Sequence, residues 1–149
     1  MVEEIKAKPV YFFQLSANRL FGDLARHSRK SLAAIKQKKL FPKGARLFAA
    51  GDMPCCIYLL VKGKVQIFSN DKNIVQFIEP DDIFGLTEAI ANLPYEVNAE
   101  TLTPCLCECI GREEFIGFLQ TEPEVCFLLA QMLGLNHQKS FQLFISSII

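Results

Sequence analysis

The stretch FGLTEAIANLPYEVNAET, residues Phe84 to Thr101, carries the signals on which the fold turns. It opens on Phe84-Gly85, runs through a short helical segment from Leu86 to Ala91, breaks at Leu93-Pro94 and resumes as an extended segment. Glycine lets the backbone close on a neighbour, and the residue before a proline is pushed out of the helical region. Lys and Arg are absent from the whole stretch, whereas Glu88, Glu96 and Glu100 are present.

Upstream, the grammar is that of short strands punctuated by turns. Phe41-Pro42-Lys43-Gly44 reads as a turn, Ala45 to Phe48 as a strand and Gly51-Asp52-Met53-Pro54 as the next turn. Ile57 to Val61 is an apolar strand, Lys62-Gly63 turns it, and Lys64 to Phe68 returns. Asn70 to Asn73 makes a polar hairpin tip before a strand from Ile74 to Ile78. Downstream, Glu100 to Ile110 reads as one long strand, bent or edged by Pro104. Strands this short and this evenly spaced are expected of an antiparallel barrel or jelly roll.

Helical patterns flank the strands. Leu20, Phe21 and Leu24 fall at helical spacing within 15–40, and Ser31 reads as the cap of a second run containing Leu32 and Ile35. The basic residues Arg26, His27, Arg29, Lys30, Lys36, Lys38 and Lys39 read as the solvated face of these helices rather than a phosphate patch. Arg112 to Gln120 predicts a helix with Phe115 and Phe118 inward, and Thr121, Pro123 and Glu124 open another as cap, first turn and capping-box residue. In that last helix Phe127, Ala130, Gly134, His137, Phe141, Phe144, Ile145 and Ile148 form one stripe, and Leu128, Leu129, Met132, Leu133 and Leu135 form a second apolar surface. One face covers the strands; the other is too apolar to stay in water.

The run GDMPCCIYLLVKGKVQIF, Gly51 to Phe68, has Gly-Asp, four spacers, an apolar-Tyr pair and then Gly-x-Val. With the stretch from Phe84, it resembles the cyclic nucleotide-binding domain, in particular the sensor half of Crp/Fnr-type bacterial transcription regulators with a degenerate phosphate cassette. The resemblance implies a mainly β fold with flanking helices. This is an antiparallel β-roll or jelly roll with a helical lead-in (14–40), a roll (41–110) holding the cassette (84–101), and C-terminal helices (112–149) ending in a long dimerisation helix. It implies one sensor domain over 1–149, with DNA reached only through a helix-turn-helix that this chain does not contain.

In that family the cassette begins FGE and ends in an Arg followed by a small hydroxyl residue and Ala. The Glu takes the ribose hydroxyl and the Arg clamps the phosphate through two parallel hydrogen bonds. Here Leu86 stands at the Glu position. Counting forward from Phe84 places Glu96 at the Arg position, and counting back from Ile110 places Tyr95 there. Two unit charges ~4 Å apart interact by about 4 kcal/mol at an effective dielectric near ~20. Acids in place of the clamp therefore disfavour a cyclic nucleotide, unless a cation from elsewhere, such as Arg112, reaches it. The candidate pocket residues are Phe84, Gly85, Leu86, Glu88, Tyr95, Glu96 and Asn98, with Ile74 and Gln76 from the preceding strand. Tyr95 and Asn98 offer neutral hydrogen bonds and Glu96 an acceptor, which suits a neutral or cationic effector. The homodimer that the resemblance implies would pair Phe127, Ala130, Gly134, His137, Phe141, Phe144 and Ile145 across a two-fold axis.

Composition narrows the alternatives. The chain has 149 residues, 50% of them hydrophobic, with a net charge of zero, which argues against nucleic-acid binding by this chain alone. MVEEIKAKPV at the start alternates acids and lysines, so a cytoplasmic protein without a signal peptide is expected, and no run approaches the ~18 apolar residues of a membrane span. The six cysteines lack CxxC spacing; Cys105, Cys107 and Cys109 alternate on one strand face and read as small buried hydrophobes, ahead of a soft-metal or redox site shared with Cys126 or with Cys55-Cys56. An enzyme or cupin-type metal site would need two or three converging His, and only His27 and His137 exist. No cofactor is therefore expected. A third reading is an interaction module of the same fold without a ligand.

Overall fold

The computed structural model describes residues 15–136. Its strands form two antiparallel layers. Strands β1 (Leu15–Ser16), β7 (Asp82–Phe84), β4 (Cys56–Lys62), β9 (Cys105–Gly111) and β2 (Lys36–Phe41) lie side by side in that order. The second layer runs β3 (Arg46–Phe48), β8 (Asn98–Thr101), β5 (Val65–Phe68) and β6 (Ile74–Ile78).

Period-2 alternation gives the central strands β7, β4 and β9 of the first layer two buried faces. Tyr58 and Leu60 of β4 and Cys105, Cys107 and Cys109 of β9 face inward, packing against Phe48, Val65, Ile67, Ile78 and Ala99 of the second layer. Ile57, Leu59, Ile83 and Ile110 face the other way and meet the helices. These are α1 (Ala17–Phe21), α2 (Arg26–Ile35), α3 (Leu86–Ala91), α4 (Arg112–Thr121) and α5 (Pro123–Asn136). Phe115 of α4 is wholly buried there, with its ring edge-on to Phe21 at 6.4 Å between centroids. Burying such a side chain stabilises the fold by about 1.5–3 kcal/mol.

Four sequence expectations are corrected. Lys36 to Leu40 is not the tail of a helix but part of β2, paired rung for rung with β9 from Lys36↔Ile110 to Phe41↔Cys105. Its lysines suit a sheet edge, where charge blocks further pairing. Ser31 is not a cap: α2 already starts at Arg26, and the Ser31 hydroxyl donates to the His27 carbonyl within the helix. Glu100 to Ile110 is not one strand. It divides at Leu102-Thr103-Pro104, and its halves belong to different sheets. The corner is held by Thr101, whose hydroxyl donates to the Pro42 carbonyl (2.7 Å) and accepts from Ala45 N–H (2.8 Å). Thr121 is the last residue of α4, its hydroxyl donating to the Phe118 carbonyl, and Glu122 accepts from Cys126 N–H at the start of α5.

Gly63 closes the β4–β5 hairpin at φ +105°, and a Cβ there would stand 2.6 Å from both the Pro104 carbonyl oxygen and Cys105 Sγ. Only glycine supplies that conformation and that clearance.

Candidate functional site

The cassette closes over the inner face of the roll. β7 ends at Phe84, and Gly85 (φ 75°, ψ 14°) swings the chain into α3 from the left-handed region. Asn92 ends α3 in the same region (φ 58°), its N–H donating to the Glu88 carbonyl. The following loop is pinned to the turn before β4: Tyr95 N–H donates to the Asp52 carbonyl at 3.0 Å and Gly51 N–H to the Tyr95 carbonyl at 2.8 Å.

Between α3 and the strands lies a cleft lined by Phe84, Gly85, Leu86, Thr87 and Glu88, by Ile67, Gln76 and Ile78 of the second layer, and by Leu15, Phe48, Ile83 and Val97. Its free volume is about 40 Å³. One water takes about 30 Å³ of liquid, and ligand pockets run to roughly 300–1,000 Å³. The cleft in this conformation has room for little more than water.

Aromatic rings fill the space beneath Gly85. Tyr95 stacks on Phe48 with centroids 3.7 Å apart and planes 7° from parallel, and Tyr58 stacks on Phe84 at 5.1 Å. A Cβ on Gly85 would stand 3.5 Å from the Tyr95 hydroxyl and 3.4 Å from the Tyr58 ring. Burial, then the nearby Glu88 carboxylate, pushes the Tyr95 phenol well above its ordinary pKa, so it stays neutral at physiological pH.

Glu88 is the one charged side chain in the lining among the described residues. Its carboxylate accepts from the Thr87 hydroxyl at 3.2 Å, and burial pushes its pKa up. Arg112 does not line the cleft. Its Nε donates to the Ala89 carbonyl near the end of α3 and its Nη1 meets Glu113 at 2.9 Å, a brace between α3 and α4.

The structure thus brings together Phe84, Gly85, Leu86, Glu88 and Gln76 at one cleft, with Tyr95 beneath it. Three expected residues lie elsewhere. Ile74 is 48% exposed at the start of β6. Glu96 is exposed on the surface, while its neighbour Tyr95 turns inward. Asn98 is buried, but its amide is already engaged: Oδ1 accepts from Ala50 N–H (2.9 Å) and from Arg46 Nη1 (3.3 Å), and Nδ2 donates to the Phe68 carbonyl and to Asn70 Oδ1. Phe48, Thr87 and Val97 join the lining without being among the expected pocket residues. Thr87 and Val97 sit inside the cassette, but Phe48 arrives from the other sheet and carries no local signal.

Of the expected dimer stripe, Phe127 is 66% exposed, whereas Ala130 is buried in the chain's own core. The surroundings of Gly134 are not described, and His137, Phe141, Phe144 and Ile145 lie outside the described residues. No helix among the described residues is long and apolar enough to cross a membrane.

Comparison with known proteins agrees with this architecture. The family model "cyclic nucleotide-binding domain" matches residues 38–122, more than half of the chain. The cyclic AMP receptor protein of Thermus thermophilus is 23% identical over 124 residues, which cover 80% of this chain and 57% of that protein. The chain therefore spans little more than half the length of that curated relative. The crystal structure of the Thermus thermophilus catabolite activator protein superposes with a TM-score of 0.70 at 24% identity, covering 77% of this chain and 56% of that one. The sensor domain of the transcriptional regulator DNR from Pseudomonas aeruginosa superposes at 0.69 and 23% identity, covering 80% and 88%. By its family match, with the same fold in these neighbours, the chain belongs to the cyclic nucleotide-binding domain family.

Proposed function

We propose that this chain is the effector-sensing domain of a Crp/Fnr-type transcription regulator, and that its cleft takes a neutral or cationic small molecule rather than cyclic AMP. The carrying observation is the cleft's chemistry: Glu88 is its one charged side chain among the described residues, and the neutral Tyr95 ring is stacked on Phe48 directly beneath Gly85. A phosphate entering here would meet a carboxylate and, among the described lining residues, no cation. Gln76, Thr87 and Glu88 offer the polar contacts that an amine or an uncharged hydrogen-bonding ligand needs.

The small free volume means that a larger effector binds a more open arrangement of α3 against the roll. Such a ligand shifts the domain only by its differential affinity for the two arrangements. α5, with Phe127 exposed, is the element through which the signal would pass to a second copy, and DNA contact would belong to a separate domain.

A thermal-unfolding screen with amines, amino acids and uncharged metabolites tests this reading. A stabilising ligand whose effect disappears in Glu88→Gln supports it. Stabilisation confined to anionic ligands overturns it. The volume of about 40 Å³ also favours a second reading, a ligand-free interaction module, for which the screen stays silent while the chain still self-associates.

A further inference from the structure

The net charge of zero conceals a segregation. Eight of the chain's 16 Lys and Arg lie between Arg26 and Arg46, and none of its 16 Asp and Glu does. The fold lays this stretch out as one continuous run: α2 passes without a loop into β2, and β2 is an edge of the five-stranded sheet. Among the described residues only Lys36 of these cations has an ion pair, with Glu108 at 3.2 Å. Arg26, Arg29 and Lys30 are exposed around a shallow groove on α2 that also takes in Ala33, and Lys38 and Lys39 are exposed on β2.

β2 pairs with β9 on one side and has no strand partner on the other among the described residues. In an antiparallel edge strand, alternate residues turn their N–H and C=O away from the partner, so β2 carries a row of unused backbone donors and acceptors. The pairing assigns its side chains to faces. Lys38 stands opposite Glu108 and Leu40 opposite Leu106, while Lys39 stands opposite the inward-facing Cys107 and so projects from the other face. Leu40 is 81% exposed, more than any other large hydrophobic side chain among the described residues. A leucine at an open edge invites another strand. The lysines beside it repel a second copy of the same edge, and by the same charge they favour an acidic strand.

We propose that the free edge of β2 is a docking site for an acidic, extended segment of a partner protein, which adds to the five-stranded sheet as a further strand. Main-chain hydrogen bonds to β2 supply affinity, and the side chains at successive positions supply choice. The partner residues facing Lys38 and Lys39 are acidic and the one facing Leu40 is apolar, so an antiparallel segment reads apolar-acid-acid. Opposite charges directly across a ladder attract, and like charges there repel. The unpaired cations of α2 add to the field that draws the segment in. Zero net charge favours this partner over nucleic acid. A long polyanion would also meet carboxylates, all of which lie outside the basic stretch, whereas a short strand meets the edge alone. The effector cleft takes no part in this contact.

Fluorescence anisotropy of the 149-residue chain with a labelled peptide, Val-Glu-Glu flanked by threonines, tests this. Binding should weaken as salt rises and should vanish when lysines replace the glutamates. Methylating the peptide's backbone nitrogens, which removes its donors and leaves its charge, should abolish binding. Lys38→Gln combined with Lys39→Gln should weaken it roughly three- to tenfold, the scale of two exposed ion pairs. Leu40→Ser should weaken it as well; all three side chains are exposed, so circular dichroism should show the fold unchanged. Hydrogen exchange followed by NMR should slow at alternate amides of β2 when the peptide is added. Absence of binding by the parent peptide overturns the proposal, and so does equal binding of the N-methylated one, because charge alone would then hold it. Duplex DNA binding more tightly than the peptide at equal salt also overturns it. So does exchange already slow at every β2 amide in the free chain, which would place a segment of this chain, such as Val2-Glu3-Glu4, or a second copy on the edge.

Discussion

The ring of Tyr95 lies flat on that of Phe48, 3.7 Å between centroids and 7° from parallel, and its hydroxyl reaches to 3.5 Å from where a Cβ on Gly85 would stand. One residue in the cassette loop and one on β3 together form the floor on which the glycine turn rests. Truncating the stack in Tyr95→Ala should cost about 3–5 kcal/mol in urea denaturation, the range for large buried aromatics. Tyr95→Phe, which keeps the ring, should cost less than about 1.5 kcal/mol, the worth of one net hydrogen bond. Equal losses for the two would mean that the hydroxyl, not the stack, holds the loop.

Glu88 should make stability depend on pH. Its folded pKa is raised by burial above the ordinary 4.5, so the folded state favours the protonated acid. The stability this group contributes is fully present below its unfolded pKa and is lost as pH rises through the folded one. Glu88→Gln, which cannot ionise, should therefore gain on the wild type as pH climbs above the mid-4 range, with the two converging at lower pH. Parallel urea titrations at acidic and neutral pH check this. A variant less stable at neutral pH would show that the carboxylate is satisfied in the folded state.

Much of this architecture is legible in the sequence where punctuation is local. Strand β6 and helix α3 occur at the residues marked for them, because the polar tip Asn70 to Asn73, Gly85 and Asn92 each impose a turn or a left-handed residue at the boundary. The alternation of Cys105, Cys107 and Cys109 likewise announces an inward face. What the sequence hides is set by distant partners. Lys36 to Leu40 reads as helix until β9 offers it a ladder, and tertiary pairing overrides its weak strand propensity. Tyr95 turns inward to stack on Phe48 of β3, a strand some fifty residues earlier in sequence, while Glu96 turns outward. Asn98 is polar for a structural reason, to receive Ala50 N–H and hold Asn70, which no spacing reveals.

Phe127 is the exposed anchor expected at a helix-to-helix interface, on an α5 whose Val125, Leu129, Met132 and Leu133 are already committed to the core. If two copies pair through α5, Phe127→Glu should shift sedimentation velocity from dimer toward monomer. The stability of the separated domain should stay within about 0.5 kcal/mol, as for other surface changes. An unchanged dimer would place the interface elsewhere.

The central claim is that the cleft has the frame of a cyclic nucleotide site without its anion chemistry. Thermal unfolding with cyclic AMP or cyclic GMP in large excess tests it most directly. A ligand bound only to the native state at a hundred times its dissociation constant adds about 2.7 kcal/mol, several degrees for a domain of this size. The charges around Glu88 and the neutral Tyr95 predict no shift with either nucleotide. A clear upward shift would contradict the account and would mean that a cation outside the described lining reaches the phosphate.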